Sequence, residues 1–125
     1  MKKTIITGAI FAGLAVLLGA FGAHALKDVL GSYASTWETG VQYQMFHAGG
    51  ILVIGLLMEK QASRLYTWAA ILFATGIVFF SGSLYVLSIS KVSILGAITP
   101  IGGVCFVVGW FLLILGVSRR TMSRY

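Results

Sequence analysis

The sequence predicts an all-α membrane protein whose single domain, residues 1–125, is a bundle of four transmembrane helices. Of its 125 residues, 58% are hydrophobic and only 10% are charged, whereas soluble domains carry about 25% charged residues. Lipid must therefore cover most of the surface. Four apolar stretches, at about residues 4–25, 41–58, 65–87 and 94–117, are each long enough to span a bilayer.

The basic residues predict how these helices are oriented. Seven of them flank one end of the bundle: Lys2, Lys3, Lys60, Arg64, Arg119, Arg120 and Arg124. The other end has only Lys27 and Lys91, opposed by Asp28 and Glu38. The excess of basic residues on the cytoplasmic side of membrane proteins places both termini inside, an N-in/C-in topology. Because the basic residues lie at helix ends and not in a patch with interleaved aromatics, no nucleic-acid partner is expected.

The first stretch resembles a signal peptide because Lys2 and Lys3 precede it. It is longer than the 7–15 residues of a signal-peptide core, so a retained helix is predicted. Residues 26–40 form the connector that follows. Apolar residues recur there at helical spacing among polar ones, which indicates an amphipathic helix weakened by Gly31 and Gly40. Two interpretations stay open, a connector lying on lipid or a lid over the outer face.

Small residues predict how the helices pack. The chain has 16 glycines, and small residues let membrane helices approach closely. The one proline, Pro100, lies inside the fourth stretch and is followed by Gly102 and Gly103. Proline removes a helical hydrogen bond and clashes with the preceding turn. A kink or break is therefore expected at this point of the fourth helix.

Most polar side chains of the apolar stretches fall in the half of the bundle predicted to face outward, and the inner half is predicted to be nearly free of them. The predicted polar cluster comprises His24, Gln44, His47, Ser81, Ser83 and Thr99. Such groups either hold helices together by hydrogen bonds or form a binding site. Two histidines without a cysteine or carboxylate at a matching depth do not make a zinc site. No metal, cofactor or catalytic residue set is predicted.

Four sequence strings carry a family resemblance: GAFGAHALK from Gly19, YQMFHAGG from Tyr43, FSGSLYVL from Phe80, and GAITPIGG from Gly96 with the later Gly109-Trp110. Together they resemble a bacterial membrane family, domain of unknown function 423, which is related to the eukaryotic transmembrane protein 256. The resemblance implies a four-helix inner- or plasma-membrane protein and implies no activity. The motif residues carried here are His24, Gln44, His47, Ser81, Gly82, Ser83, Thr99, Pro100, Gly102 and Gly103.

Two classes of function fit these observations. The first is a non-enzymatic accessory or interaction protein of the cell membrane that binds lipid, another membrane protein or a second copy of the chain. The second is a small carrier or sensor whose polar cluster handles a polar solute or a lipid headgroup. Proton-coupled export, common among four-helix chains of this length, usually relies on a buried acidic residue, and none lies within the apolar stretches.

Overall fold

The structure, a computed structural model, describes residues 1–120; Arg124, counted above among the basic residues, lies outside the described residues. The described chain is helical almost throughout and has no strand, which confirms the predicted fold class. Its elements are α1 (Lys2–Ala23), α2 (Lys27–Leu30), a 3-10 turn (Gly31–Tyr33), α3 (Ala34–Lys60), α4 (Arg64–Gly76), a π-helical turn (Ile77–Ser81), α5 (Gly82–Ser90), a 3-10 segment (Ser93–Ala97) and α6 (Thr99–Ser118).

These elements make four segments that are long and apolar enough to cross a membrane: Lys2–Ala23, Lys27–Lys60, Arg64–Ser90 and Ser93–Ser118. Large apolar side chains cover the outside of the bundle. Leu17, Phe46 and Val107, for example, are 61%, 66% and 69% exposed. In water such a surface would be unfavourable, so it is the surface that lipid covers.

Long helices that follow one another along the chain run antiparallel and meet at glycines. On α1, Gly8 packs against Leu52 of α3; between α4 and α6, the ring of Phe106 packs on Gly76. This arrangement gathers the described basic residues Lys2, Lys3, Lys60, Arg64, Arg119 and Arg120 at one end of the bundle, called here the basic end. The opposite end, where α1 finishes and α3 starts, is called the far end.

The connector between the first two spans differs from the prediction. The sequence predicts that it reaches residue 40, whereas α3 already begins at Ala34. The reason is Trp37, which is buried and donates an indole hydrogen bond to the Leu18 carbonyl of α1 at 2.9 Å. Because that bond holds this part of the chain against α1, only α2 and the 3-10 turn remain as connector.

Pro100 also occupies a different position from the one expected. It lies in the first turn of α6, after the 3-10 segment. Proline is well tolerated there because the first N–H groups of a helix have no intrahelical partner. The predicted kink within a continuous α-helix is therefore corrected to a junction between 3-10 and α-helix. Gly102, two residues further, lets α6 cross the π-helical turn: an added Cβ would overlap the backbone of Phe80.

Candidate functional site

His47 lies on the inward face of α3 and is only 4% exposed. Its Nε2 is 3.0 Å from the indole nitrogen of Trp110 on α6, and its Nδ1 is 2.8 Å from the Tyr43 carbonyl oxygen. An indole N–H can only donate, so Nε2 accepts, and Nδ1 carries the proton that it donates to Tyr43. The two hydrogen bonds thus select one neutral tautomer and fix the plane of the ring.

Aromatic rings enclose this histidine on several sides. Phe106 of α6 stacks on the imidazole with ring centroids 3.6 Å apart, and Phe73 of α4 meets it edge-on at 5.1 Å. Phe73 also packs against Trp110 at 4.7 Å. The imidazole is therefore in contact with residues of three helices, α3, α4 and α6.

A groove of about 660 Å³ opens beside this pair, between α3 and α6. It is called here the aromatic groove, and its walls are mainly the side chains of Tyr43, Phe46, Phe80, Phe106, Val107 and Trp110. Gly103 lies on its α6 side, where an added Cβ would have only the Phe80 ring within 4 Å, at 4.0 Å. The groove is not capped by another helix, so it is open to whatever surrounds the bundle.

Two side chains give this apolar groove a polar end. Gln42 and Tyr43 line it, and neither side chain has a hydrogen-bond partner among residues 1–120. The amide of Gln42 offers two N–H donors and a carbonyl acceptor, and the phenol of Tyr43 offers one donor. A ligand with one polar and one apolar part is complementary to this arrangement.

Gln44, one turn before His47, takes part in a different network. Its Nε2 donates to the Phe11 carbonyl of α1 at 2.8 Å, and its Oε1 accepts from the Tyr85 hydroxyl of α5 at 2.7 Å. The Tyr85 ring in turn packs on Trp37 with centroids 4.7 Å apart. This network, called here the Gln44 junction, joins α1, α3 and α5 and satisfies the amide at both ends.

The other predicted site residues make separate local contacts. Ser81 is fully buried and donates to the Gly40 carbonyl at 2.7 Å. Ser83 lies 2.6 Å from the Thr99 hydroxyl, which links α5 to the start of α6, and also bonds the Phe80 carbonyl at 2.9 Å. His24 is exposed at the end of α1. Five of the six residues thus form several linkages and not one pocket, and ligand binding by the six stays a prediction.

The sequence could not reveal the partner of His47. Trp110 is 63 residues away along the chain, and no spacing rule links two helices so far apart. The available signal was chemical: an indole N–H within an apolar helix needs an acceptor, and His47 is one of few at that depth. Among residues 1–120, no group of three or more His, Cys, Asp or Glu side chains could hold a metal ion.

Comparison with known proteins points to the same family as the sequence motifs. The family model for a protein of unknown function, DUF423, matches residues 18–103. The chain belongs to the DUF423 family. The matched range contains Gln44, His47, Ser81, Ser83 and Thr99, while Trp110 lies beyond it. No solved structure matches this DUF423 protein.

Curated relatives cover nearly the whole chain. A UPF0382 membrane protein of Staphylococcus epidermidis is 53% identical over 95% of this chain and 98% of its own length. The UPF0382 membrane protein YwdK of Bacillus subtilis is 51% identical over 95% and 98%. The UPF0382 inner membrane protein YgdD of Escherichia coli K12 is 40% identical over 92% and 88%. With its four apolar helices, this DUF423 protein is a multi-pass membrane protein of the bacterial cell membrane.

Proposed function

We propose that this protein is a non-enzymatic membrane binding protein that holds the apolar chain of a lipid in the aromatic groove. The observation that carries the proposal is the groove itself. Its volume, about 660 Å³, lies within the roughly 300–1,000 Å³ of small-molecule sites. Its walls are aromatic and aliphatic, and its two unpaired polar side chains, Gln42 and Tyr43, lie at one end.

The depth of the groove supports a lipid as the occupant. At about 1.5 Å per residue, Gln42 lies roughly 27 Å along α3 from Lys60, close to the far edge of an apolar layer about 30 Å thick. Trp110 lies roughly 13 Å from Arg119, near the middle of that layer. The polar end of the groove is thus at headgroup depth, and the aromatic part is at the depth of acyl chains.

The length of the groove argues against a partner helix as its main occupant. From Gly103 to Trp110 the groove follows α6 for only about 10 Å, whereas a helix crossing the bilayer would need a matching face over about 30 Å. A single flexible chain fits a short groove better. A second copy of this chain or another membrane protein remains an outcome of the test below.

The chemistry of the groove supports binding and not catalysis. His47 is held neutral by Trp110 and Tyr43, and an amide and a phenol are the remaining polar groups. A nucleophile, a base and a group that orients the base are what a catalytic reading requires. The alternative of a solute carrier or sensor has less support, because Gln44, Ser81 and Ser83 already bond to groups of the chain itself.

The orientation forms part of the proposal. With the basic end in the cytoplasm, the aromatic groove faces the outer leaflet. A phosphatase fused after Tyr125 should then be inactive in a bacterial inner membrane, because the enzyme needs export, whereas a fluorescent protein fused at the same position should fold and emit. High phosphatase activity would reverse the orientation and move the groove to the inner leaflet.

Lipid retention tests the groove directly. The expected result is that full-length protein purified in mild detergent retains lipid that mass spectrometry counts, and that Gly103→Leu retains one lipid fewer because leucine fills the open side of the groove. Gly13→Leu is the matched control, since an added Cβ at Gly13 has no atom within 4 Å and that residue faces outward from α1. Equal retention by both variants would contradict the proposal, as would a retained protein subunit in place of lipid.

A further inference from the structure

A second opening lies at the basic end, on a different side of the bundle from the aromatic groove. It is a crevice of about 270 Å³ between α1 and α4, with Ile51 of α3 at its floor. Polar lining residues distinguish it: Lys3, Thr4 and Thr7 from α1, and Thr67 and Thr75 from α4. Called here the threonine crevice, it corrects the prediction that the inner half is nearly free of polar groups.

Two of the threonine hydroxyls bond to their own helices, and Thr4 instead donates to the Met58 sulfur of α3 at 3.5 Å. Thr7 donates to the Lys3 carbonyl at 2.8 Å and Thr67 to the Ser63 carbonyl at 3.3 Å. Threonine commonly forms this bond to the carbonyl four residues earlier, so by itself it needs no ligand. Both hydroxyl oxygens keep free lone pairs, and a hydroxyl can rotate toward a stronger acceptor because the carbonyl that it leaves retains its helical bond.

The charged residues around the crevice favour an anionic ligand. The Lys3 ammonium lines its mouth and has no ion-pair partner among residues 1–120. Arg64 begins α4, one turn before Thr67. Of the three acidic residues in the sequence, Asp28 and Glu38 lie toward the far end and only Glu59 is at the basic end. The surroundings of the crevice are therefore positive, which favours an anion.

The crevice also changes character with depth. Lys3 and Thr67 lie within about one helical turn of the starts of α1 and α4, at headgroup level. Further in, Ala70, Ile71 and Ala74 make most of the α4 wall apolar, with the Thr75 hydroxyl beyond them. A positive mouth above an apolar cleft complements an anionic headgroup attached to an acyl chain. Basic pockets between helices on the cytoplasmic side are a recognised place for acidic lipid headgroups.

We propose that the threonine crevice binds an anionic phospholipid of the inner leaflet, with its phosphate near the Lys3 ammonium and the Thr67 hydroxyl and one acyl chain along Ala70 and Ala74. A zwitterionic lipid would fit less well because its cationic group would meet Lys3 and Arg64. Free phosphate shares the headgroup chemistry but leaves the apolar part of the crevice empty.

Binding of defined lipids to the full-length protein tests this site. In native mass spectrometry with phosphatidylglycerol, Lys3→Gln should bind about fivefold more weakly, the effect of one basic side chain near a membrane surface. Thr67→Val should weaken binding by a smaller factor, and Lys3→Arg should restore it. Lys27→Gln, which removes a lysine at the start of α2 and so at the far end of the bundle, is the matched control and should leave binding unchanged.

Three outcomes would overturn the assignment. They are equal affinity of Lys3→Gln and Lys27→Gln for phosphatidylglycerol, equal binding of phosphatidylcholine and phosphatidylglycerol by the wild type, and full competition by inorganic phosphate alone. Since Gly103→Leu lies in the aromatic groove and touches none of the crevice residues, the two sites can fail independently. Loss of the lipid response in Lys3→Gln with normal lipid retention in the groove would support the crevice alone.

Discussion

Gln44 and His47 lie one turn apart on α3, and both are buried and hydrogen-bonded within the chain, yet they border different surroundings. At the Gln44 junction the amide is buried between α1 and α5 and bonds to both. The His47–Trp110 pair forms the inner wall of a groove that is open to lipid. The difference shows that a hydrogen-bonded polar side chain can either join packed helices or form the wall of an open groove. Which of the two occurs depends on the helices that surround it.

The same contrast between a closed and an open surface exists at Gly102 and Gly103 of α6, and substitutions there should have the largest effect on stability. A Cβ on Gly102 would overlap the Phe80 backbone, whereas one on Gly103 would lie 4.0 Å from the Phe80 ring. We expect Gly102→Ala to lower the free energy of unfolding by about 1–3 kcal/mol, as overpacking does. Gly103→Ala should be neutral or stabilising by up to about 1 kcal/mol, because alanine favours helix. Thermal unfolding in detergent measures both.

The closed region can be tested by breaking the Gln44 junction. Gln44→Leu removes bonds to Phe11 and Tyr85, and at about 0.6 kcal/mol for each interhelical bond in a membrane, we expect a loss of about 1 kcal/mol. Adding Tyr85→Phe should cost little more, because the hydroxyl left without a partner is then removed as well. Fully additive losses in the double variant would show that the two side chains do not act together.

The sequence carries enough information for the helices but not for their rotation about their own axes. Apolar length alone located the four spans, because lipid imposes that length, and the depth of polar residues placed Gln44, His47, Ser81 and Ser83 in the same half. Whether Ser81 faces His47 or Gly40 depends on angles between helices, which no spacing in the sequence fixes. For the same reason the sequence did not predict the aromatic groove, because its two walls come from residues about 60 positions apart.

Other differences between the sequence predictions and the structure have causes at particular residues. The early start of α3 follows from the bond between Trp37 and Leu18, a contact between helices that the amphipathic pattern of residues 26–40 does not encode. Pro100 was expected within a helix because the apolar stretch runs on from residue 94, but hydropathy does not distinguish 3-10 from α-helix. The sequence did not predict the threonine crevice because its threonines are divided between α1 and α4. Neither helix alone has enough polar residues to indicate a site.

Lipid photo-crosslinking tests the central claim, that the aromatic groove holds a lipid chain, most directly. Val107 and Ile114 both lie on α6 and are 69% and 64% exposed, but only Val107 lines the groove. With a phospholipid carrying a photoreactive acyl chain in a bilayer, we expect crosslinks to concentrate on Val107 and its groove neighbours Tyr43 and Phe46. Equal labelling of Val107 and Ile114 would mean that lipid contacts the groove no more than the rest of the helix surface, which contradicts the proposal.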